Sequence, residues 1–148
     1  MQQVTLITGA NRGIGLATAT LLADQGQYVI GTGRTAPIDF PGDFYEVDFA
    51  DSAALARTGA AIAEAHAVTG LVNNAGGQFA SPLTGINQKG WETVVRTNLT
   101  GGFLMAREAY TQALSKTGGS IVNIVADMWG GMPGMGHSGA ARAGMVNF

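Results

Sequence analysis

The sequence contains no cysteine, so neither a disulfide framework nor thiolate chemistry is open to it, and a reducing cytoplasm suits the chain. Charge is sparse. Lys plus Arg number 8 against 10 for Asp plus Glu, and a net charge of -2 gives no footprint for nucleic acid or an anionic membrane surface. No apolar run approaches the ~20 residues of a membrane-spanning helix, and no basic patch with a following apolar run opens the chain. There is no internal repeat, no interdomain linker and no expected metal site. What is present is 148 residues with 46% hydrophobic content, enough for one folded, soluble, cytoplasmic domain.

Glycine-bounded apolar runs alternate with segments of helical period, which marks an α/β domain with a parallel sheet. Val4 to Thr8 reads as a buried first strand. A helix follows, its inner face expected to carry Ile14, Ala17, Leu21 and Leu22 and its end expected near Gly26. Tyr28 to Gly31 makes a second strand. The stretch from Thr35 to Asp43 is too short and too proline-rich for a crossover helix, so it predicts a loop or a single turn. Phe44 to Val47 is a third strand, and Asp51-Ser52 caps a helix whose apolar side holds Leu55, Ile62 and alanines. Leu71 to Asn74 is a short fourth strand.

From Gln88 to Ser115 apolar residues recur near the helical period at Trp91, Val94, Leu99, Phe103, Ala106, Tyr110 and Leu114, with Gly101-Gly102 expected to bend the helix. Ser120 to Ala126 reads as a fifth strand, and a new helical pattern runs from Ser138 through Val146. The expected fold is a Rossmann-like doubly wound parallel sheet of about five strands in the order 3-2-1-4-5, one domain over residues 1–148. The chain stops at Phe148 inside its fifth helix. A last strand without its covering helix exposes an apolar face, so the pattern implies a C-terminally truncated chain and an incomplete sheet.

The loop Thr8-Gly9-Ala10-Asn11-Arg12-Gly13-Ile14-Gly15 joins the first strand to a helix N-terminus, where backbone N–H groups and the helix dipole point at a bound anion. Gly9 permits the tight turn, Gly13 lets the backbone approach a pyrophosphate, and Gly15 allows close helix–strand packing. The alternative is a turn with no ligand. The spacing Gly-x3-Gly-x-Gly resembles the short-chain dehydrogenase/reductase family and differs from the Gly-x-Gly-x-x-Gly of larger dehydrogenases.

Two further stretches carry the resemblance: Asp48-Phe49 after the third strand, and Asn73-Asn74-Ala75-Gly76 at the end of the fourth. The resemblance implies that Asp48 contacts the adenine, that Phe49 lines the base, and that Asn74, Ala75 and Gly76 adjoin the cofactor. Gly76 lets backbone approach it, while Asn74 can bond neighbouring strands. At the end of the second strand a carboxylate would hold a 2′-hydroxyl, whereas arginine pairs with a 2′-phosphate. Here stands Arg34, and Arg12 adds a second cation, both at positions basic in NADP-preferring members. NADPH is therefore expected over NAD, unless both arginines are only solvated surface charges.

The family transfers hydride to or from a small-molecule substrate with a tetrad of Asn, Ser, Tyr and Lys. Asn98 in Thr97-Asn98-Leu99 matches the asparagine, implying a held water in a proton relay or else a structural amide. Tyr-x-x-x-Lys is absent: the last tyrosine is Tyr110 and the last lysine Lys116. Aligning Arg142-Ala143-Gly144 with the family's Lys-Ala-Gly puts Ser138 in the tyrosine's place and Arg142 in the lysine's. The serine slot falls near Val125 and Ala126. A phenol with lysine-lowered pKa is the usual acid, and arginine relays protons poorly.

The second half, above all His137-Ser138-Gly139-Ala140-Ala141-Arg142-Ala143-Gly144, resembles the peroxisomal trans-2-enoyl-CoA reductase group, whose tyrosine matches Val146 and whose lysine falls beyond Phe148. That likeness implies an acyl-CoA thioester substrate, with His137, Ser138 or a water as proton donor and Arg142 paired with Asp127 or a CoA phosphate. His137 in a glycine-rich loop is otherwise expected to be exposed. Met128, Trp129, Met132 and Met135 would form a pliable acyl pocket or an apolar surface awaiting cover. Three functions compete: an NADPH-dependent oxidoreductase acting on a carbonyl or enoyl thioester, a catalytically impaired NADP(H)-binding pseudoenzyme or sensor, and a non-functional or docking fragment. A homo-oligomer is expected through the helices between Trp91 and Leu114.

Overall fold

The computed structural model describes residues 2–148 and places five parallel strands in one sheet, ordered β3-β2-β1-β4-β5 as the sequence predicts. Central β1 (Val4–Thr8) pairs with β2 (Tyr28–Gly33) on one side and β4 (Gly70–Asn73) on the other. β3 (Asp43–Glu46) and β5 (Ser120–Asn123) lie outermost. The order reverses between β1 and β4, so the loops leaving their carboxyl ends part and open a crevice, as at the switch point of doubly wound sheets. β5 ends at Asn123, short of the expected Ala126, and exposes Ile121 and Val122.

Alternation along the strands divides the core between the two faces of the sheet. Leu6 and Ile30 join Leu55, Ile62, Leu71 and Met105 on the side of α2 (Ser52–Ala65) and α4 (Gly101–Ala109). Ile7 and Val29 join Ala10 and Ala19 on the side of α1 (Gly13–Asp24). Asp51 caps α2 as expected, its side chain accepting from the Ala54 N–H at 2.9 Å.

The face of α1 departs from expectation. Gly15 and Ala19 are buried with Leu22 beside them, while Ile14 is 64% and Leu21 58% exposed. A Cβ at Gly15 would strike the Gly9 carbonyl oxygen, so close docking turns the small residues inward and the large ones out. Between β2 and β3 the chain forms no helix, again as expected. Phe40 covers the sheet instead. Its ring meets Phe44 edge-on at 5.1 Å, and a Cβ on Gly31 would stand 2.5 Å from the Phe40 ring.

The long helical run consists of α3 (Gln88–Val95), a π-helical turn (Arg96–Thr100), α4, a second π-helical turn (Tyr110–Leu114) and the short α5 (Ser115–Thr117). Each π turn adds a residue to the winding and moves the buried stripe. Val94, Ala106 and Leu114 are buried as predicted, but Trp91, Phe103 and Tyr110 face outward, and Asn98, Met105 and Ala109 take the inner face. Gly101 and Gly102 do not break the helix. They admit Phe49 and Met145, whose side chains would each lie 2.7 Å from an added Cβ. The last helix, α6 (Gly136–Asn147), packs its buried His137, Ser138, Ala141 and Met145 toward α3 and the first π turn. No helix among the described residues is long and apolar enough to cross a membrane.

Candidate cofactor cleft and the neighbouring polar cluster

A cleft of about 630 Å³ opens at the carboxyl ends of β1, β2 and β4. Gly9, Asn11, Arg12, Gly13, Ile14, Arg34, Asp48, Phe49, Asn74, Ala75 and Gly76 line it, all of them expected at the cofactor. Thr8 and Gly15 are absent from the lining, and their part is to hold its walls. Thr8 is 1% exposed, and its Oγ1 accepts the N–H groups of Asn74 and Ala75, each at 3.0 Å. The Asn74 amide bonds back, donating to the carbonyls of Thr8 at 3.1 Å and Gly9 at 3.2 Å. This exchange ties the β1 loop to the β4 loop, the strand-bonding role expected of Asn74.

Gly9 adopts φ +66°, and a Cβ there would come within 2.8 Å of the Ala75 Cα. Gly13, at φ +57°, meets nothing within 4 Å of its virtual Cβ. Arg12 precedes α1 in extended backbone and makes no side-chain cap, so the first amides of the helix have no side-chain acceptor. Across the cleft, Asp48 Oδ1 accepts the Ala50 N–H at 2.9 Å and Phe49 is 5% exposed. Gly33, Val47, Ala50, Gly77, Thr93 and Thr97 also line the cleft, none of them expected. The four-residue spacing of Thr93 and Thr97 signals a shared helix face, but the π turn hides which way that face looks.

Beside the cleft, Asn98 is 1% exposed and bonded to backbone. Its Oδ1 accepts the Gly77 N–H at 2.8 Å while its Nδ2 donates to the Gly77 carbonyl at 2.9 Å. Ser138, fully buried, donates from Oγ to Gln78 Oε1 at 2.6 Å. His137 is not exposed as expected. It has 0% exposure at the start of α6, edge-on to Phe79 with ring centroids 4.4 Å apart, because the helix begins before it and turns it inward.

Arg142 donates from Nη1 to the Ile124 carbonyl at 2.9 Å and makes no ion pair with Asp127, one of the two partners expected for it. Burial pulls its guanidinium below the ordinary arginine value. The four residues read either as an acyl pocket or as an apolar surface differ in their burial. Met128 is buried, Met132 packs on Gly139, and Trp129 is 74% exposed.

The family model for short chain dehydrogenases matches residues 3–148. The 3-oxoacyl-[acyl-carrier-protein] reductase FabG of Vibrio cholerae is 34% identical over 99% of this chain and 64% of its own length. The citronellol catabolism dehydrogenase of Pseudomonas aeruginosa is 48% identical, with a TM-score of 0.87 over 99% of this chain and 65% of its own. A metagenomic short-chain oxidoreductase solved in complex with NADP superposes with a TM-score of 0.87 at 26% identity, over 98% of this chain and 71% of its own. The chain thus spans 64% of the length of FabG. Because the family's model matches from residue 3 to residue 148, this chain belongs to the short-chain dehydrogenase/reductase family.

Proposed function

We propose that this chain serves an NADPH-dependent oxidoreductase acting on a carbonyl or an α,β-unsaturated thioester. The observation that carries the cofactor choice is the pair Arg12 and Arg34. Both are exposed, both line the cleft, and neither enters an ion pair among the described residues. Two such forks suit a 2′-phosphate, which NAD lacks.

The rest of the cleft fits a pyridine dinucleotide. The uncapped amides opening α1 would hold the pyrophosphate, Asp48 and Phe49 the adenine, and the Ala75-Gly76 backbone the far half. The nicotinamide supplies the hydride. The substrate reading rests on the resemblance of residues 137–144 to enoyl-thioester reductases and on the 3-oxoacyl-[acyl-carrier-protein] in the name of the Vibrio relative. The reacting end would lie against Gly76 and Gly77, behind which Asn98, His137, Ser138 and Arg142 stand.

Fluorescence titration with NADPH and NADH tests the cofactor, and a ratio of dissociation constants near one removes the arginine argument. NADPH oxidation with crotonyl-CoA and with simple ketones tests the chemistry. Saturable turnover supports the reductase, while tight binding without turnover marks a nucleotide-binding sensor. For a homo-oligomer the surface is the outer side of α4 and the second π turn, where Phe103 is 44% exposed beneath Arg107 and Tyr110 is 57% exposed. A monomer mass by light scattering removes that assignment.

A further inference from the structure

The loop that leaves β4 is gripped residue by residue. A Cβ on Gly76 would run into Nη2 of Arg142, both backbone groups of Gly77 bond Asn98, Gln78 accepts from Ser138, and Phe79 lies against His137. Three of the four gripping residues come from α6, with Ser138 and Arg142 one turn apart on a shared face. None of the three lines the cleft, whereas Gly76 and Gly77 do. The helix therefore acts on the cleft through its wall.

Neither residue is placed to move a proton. The Ser138 hydroxyl donates its only hydrogen to an amide oxygen, a group that does not pass protons on. Arg142 is anchored to the Ile124 carbonyl, and a guanidinium is a poor proton relay at neutral pH. Their geometry is that of a brace. The ends of β2 and β4 lie on opposite sides of β1, so a dinucleotide with its 2′-phosphate at Arg34 puts its nicotinamide half at Gly76 and Gly77.

We propose that Ser138 and Arg142 are positioning residues that clamp residues 76–78 and thereby set affinity for the nicotinamide half of the cofactor. The proposal rests on the cofactor reading above. Gln78 is exposed in its loop, so Gln78→Ala breaks the clamp without altering α6. The wild type, Gln78→Ala, Ser138→Ala and the double variant are titrated with NADPH and with 2′,5′-ADP, which carries only the phosphorylated adenosine half.

Either single change is expected to weaken NADPH binding by about 3- to 10-fold, the size of one hydrogen bond, and to leave 2′,5′-ADP unchanged. The double variant should be no weaker than either single, because the two changes remove the same contact. Additive losses, equal losses for both ligands, or unaltered NADPH binding by Gln78→Ala overturn the clamp while leaving the cofactor reading intact. A wild type that binds neither ligand overturns both. Should Ser138→Ala fail to fold, the comparison of the two ligands on Gln78→Ala decides by itself.

Discussion

Asn98 satisfies both backbone groups of Gly77, accepting the N–H at 2.8 Å and donating to the carbonyl at 2.9 Å. The amide reaches from a π-helical turn, buried to 1% exposure, to a loop 21 residues earlier in the chain. Replacing it with alanine leaves two backbone groups without their partners. Asn98→Ala is expected to cost roughly 2–4 kcal/mol, two lost bonds plus a small cavity, read as a lower urea midpoint at unchanged slope. A loss under about 0.5 kcal/mol would show that Gly77 finds water instead.

Gly9 carries two independent demands, a positive φ of +66° and a virtual Cβ 2.8 Å from the Ala75 Cα. The opposing atom is backbone and has no rotamer in which to retreat. Gly9→Ala should therefore lower stability by about 1–3 kcal/mol and widen the gap between the β1 and β4 loops. Thermal unfolding and NADPH titration are both expected to register the change, and an alanine variant with wild-type values in both would refute it.

Arg34 offers a test of cofactor selection that does not depend on catalysis. Arg34→Ala should reduce NADPH affinity about 10- to 100-fold, the range of a lost charge-assisted contact, with NADH affinity nearly constant. The discriminating quantity is the ratio of the two constants. If both cofactors lose equally, Arg34 supports the loop and does not read the phosphate.

At the amino ends of β2 and β3, Tyr28 donates to Asp43 Oδ2 at 2.7 Å, and His66 Nε2 lies 3.4 Å from the same oxygen. The hydrogen bond to Asp43, then burial and the carboxylate's charge, raises the Tyr28 phenol above its ordinary value. A group raised on folding contributes stability that is complete below the unfolded value, ~10 for tyrosine, and is lost as pH climbs through the folded one. Tyr28→Phe should thus be less stable than wild type by roughly 0.5–1 kcal/mol near neutrality, discounted for partial exposure. Above about pH 10 the two unfolding curves should converge; a gap independent of pH would contradict the assignment.

The strands and the missing crossover helix were legible in the residues for local reasons, while the strand order and most of the cleft lining came with the family resemblance. Val4 to Thr8 is a run that only a buried strand accommodates, and Pro37 with Pro41 prevents a helix before β3. Gly13 marks the tight turn into α1, where its φ is +57°. Helix faces were less legible. Ile14 and Leu21 look like core by period and lie outside, because Gly15 has to face the Gly9 carbonyl. Phe103 and Tyr110 fit a 3.6-residue stripe that two π turns displace, and no residue in Arg96–Thr100 announces the extra winding.

By itself the sequence determined where the backbone must turn tightly, which segments are extended and which cations stand at the ends of β1 and β2, since these depend on residues only a few positions apart. Tertiary structure alone decided what Ser138, Arg142 and His137 do. Their partners Gln78, Gly76 and Phe79 lie some sixty residues earlier, and only the docking of α6 over the β4 loop brings them within reach. Long-range contacts of this kind follow from packing geometry, which a linear pattern of apolar and polar residues does not encode to the accuracy of a hydrogen bond.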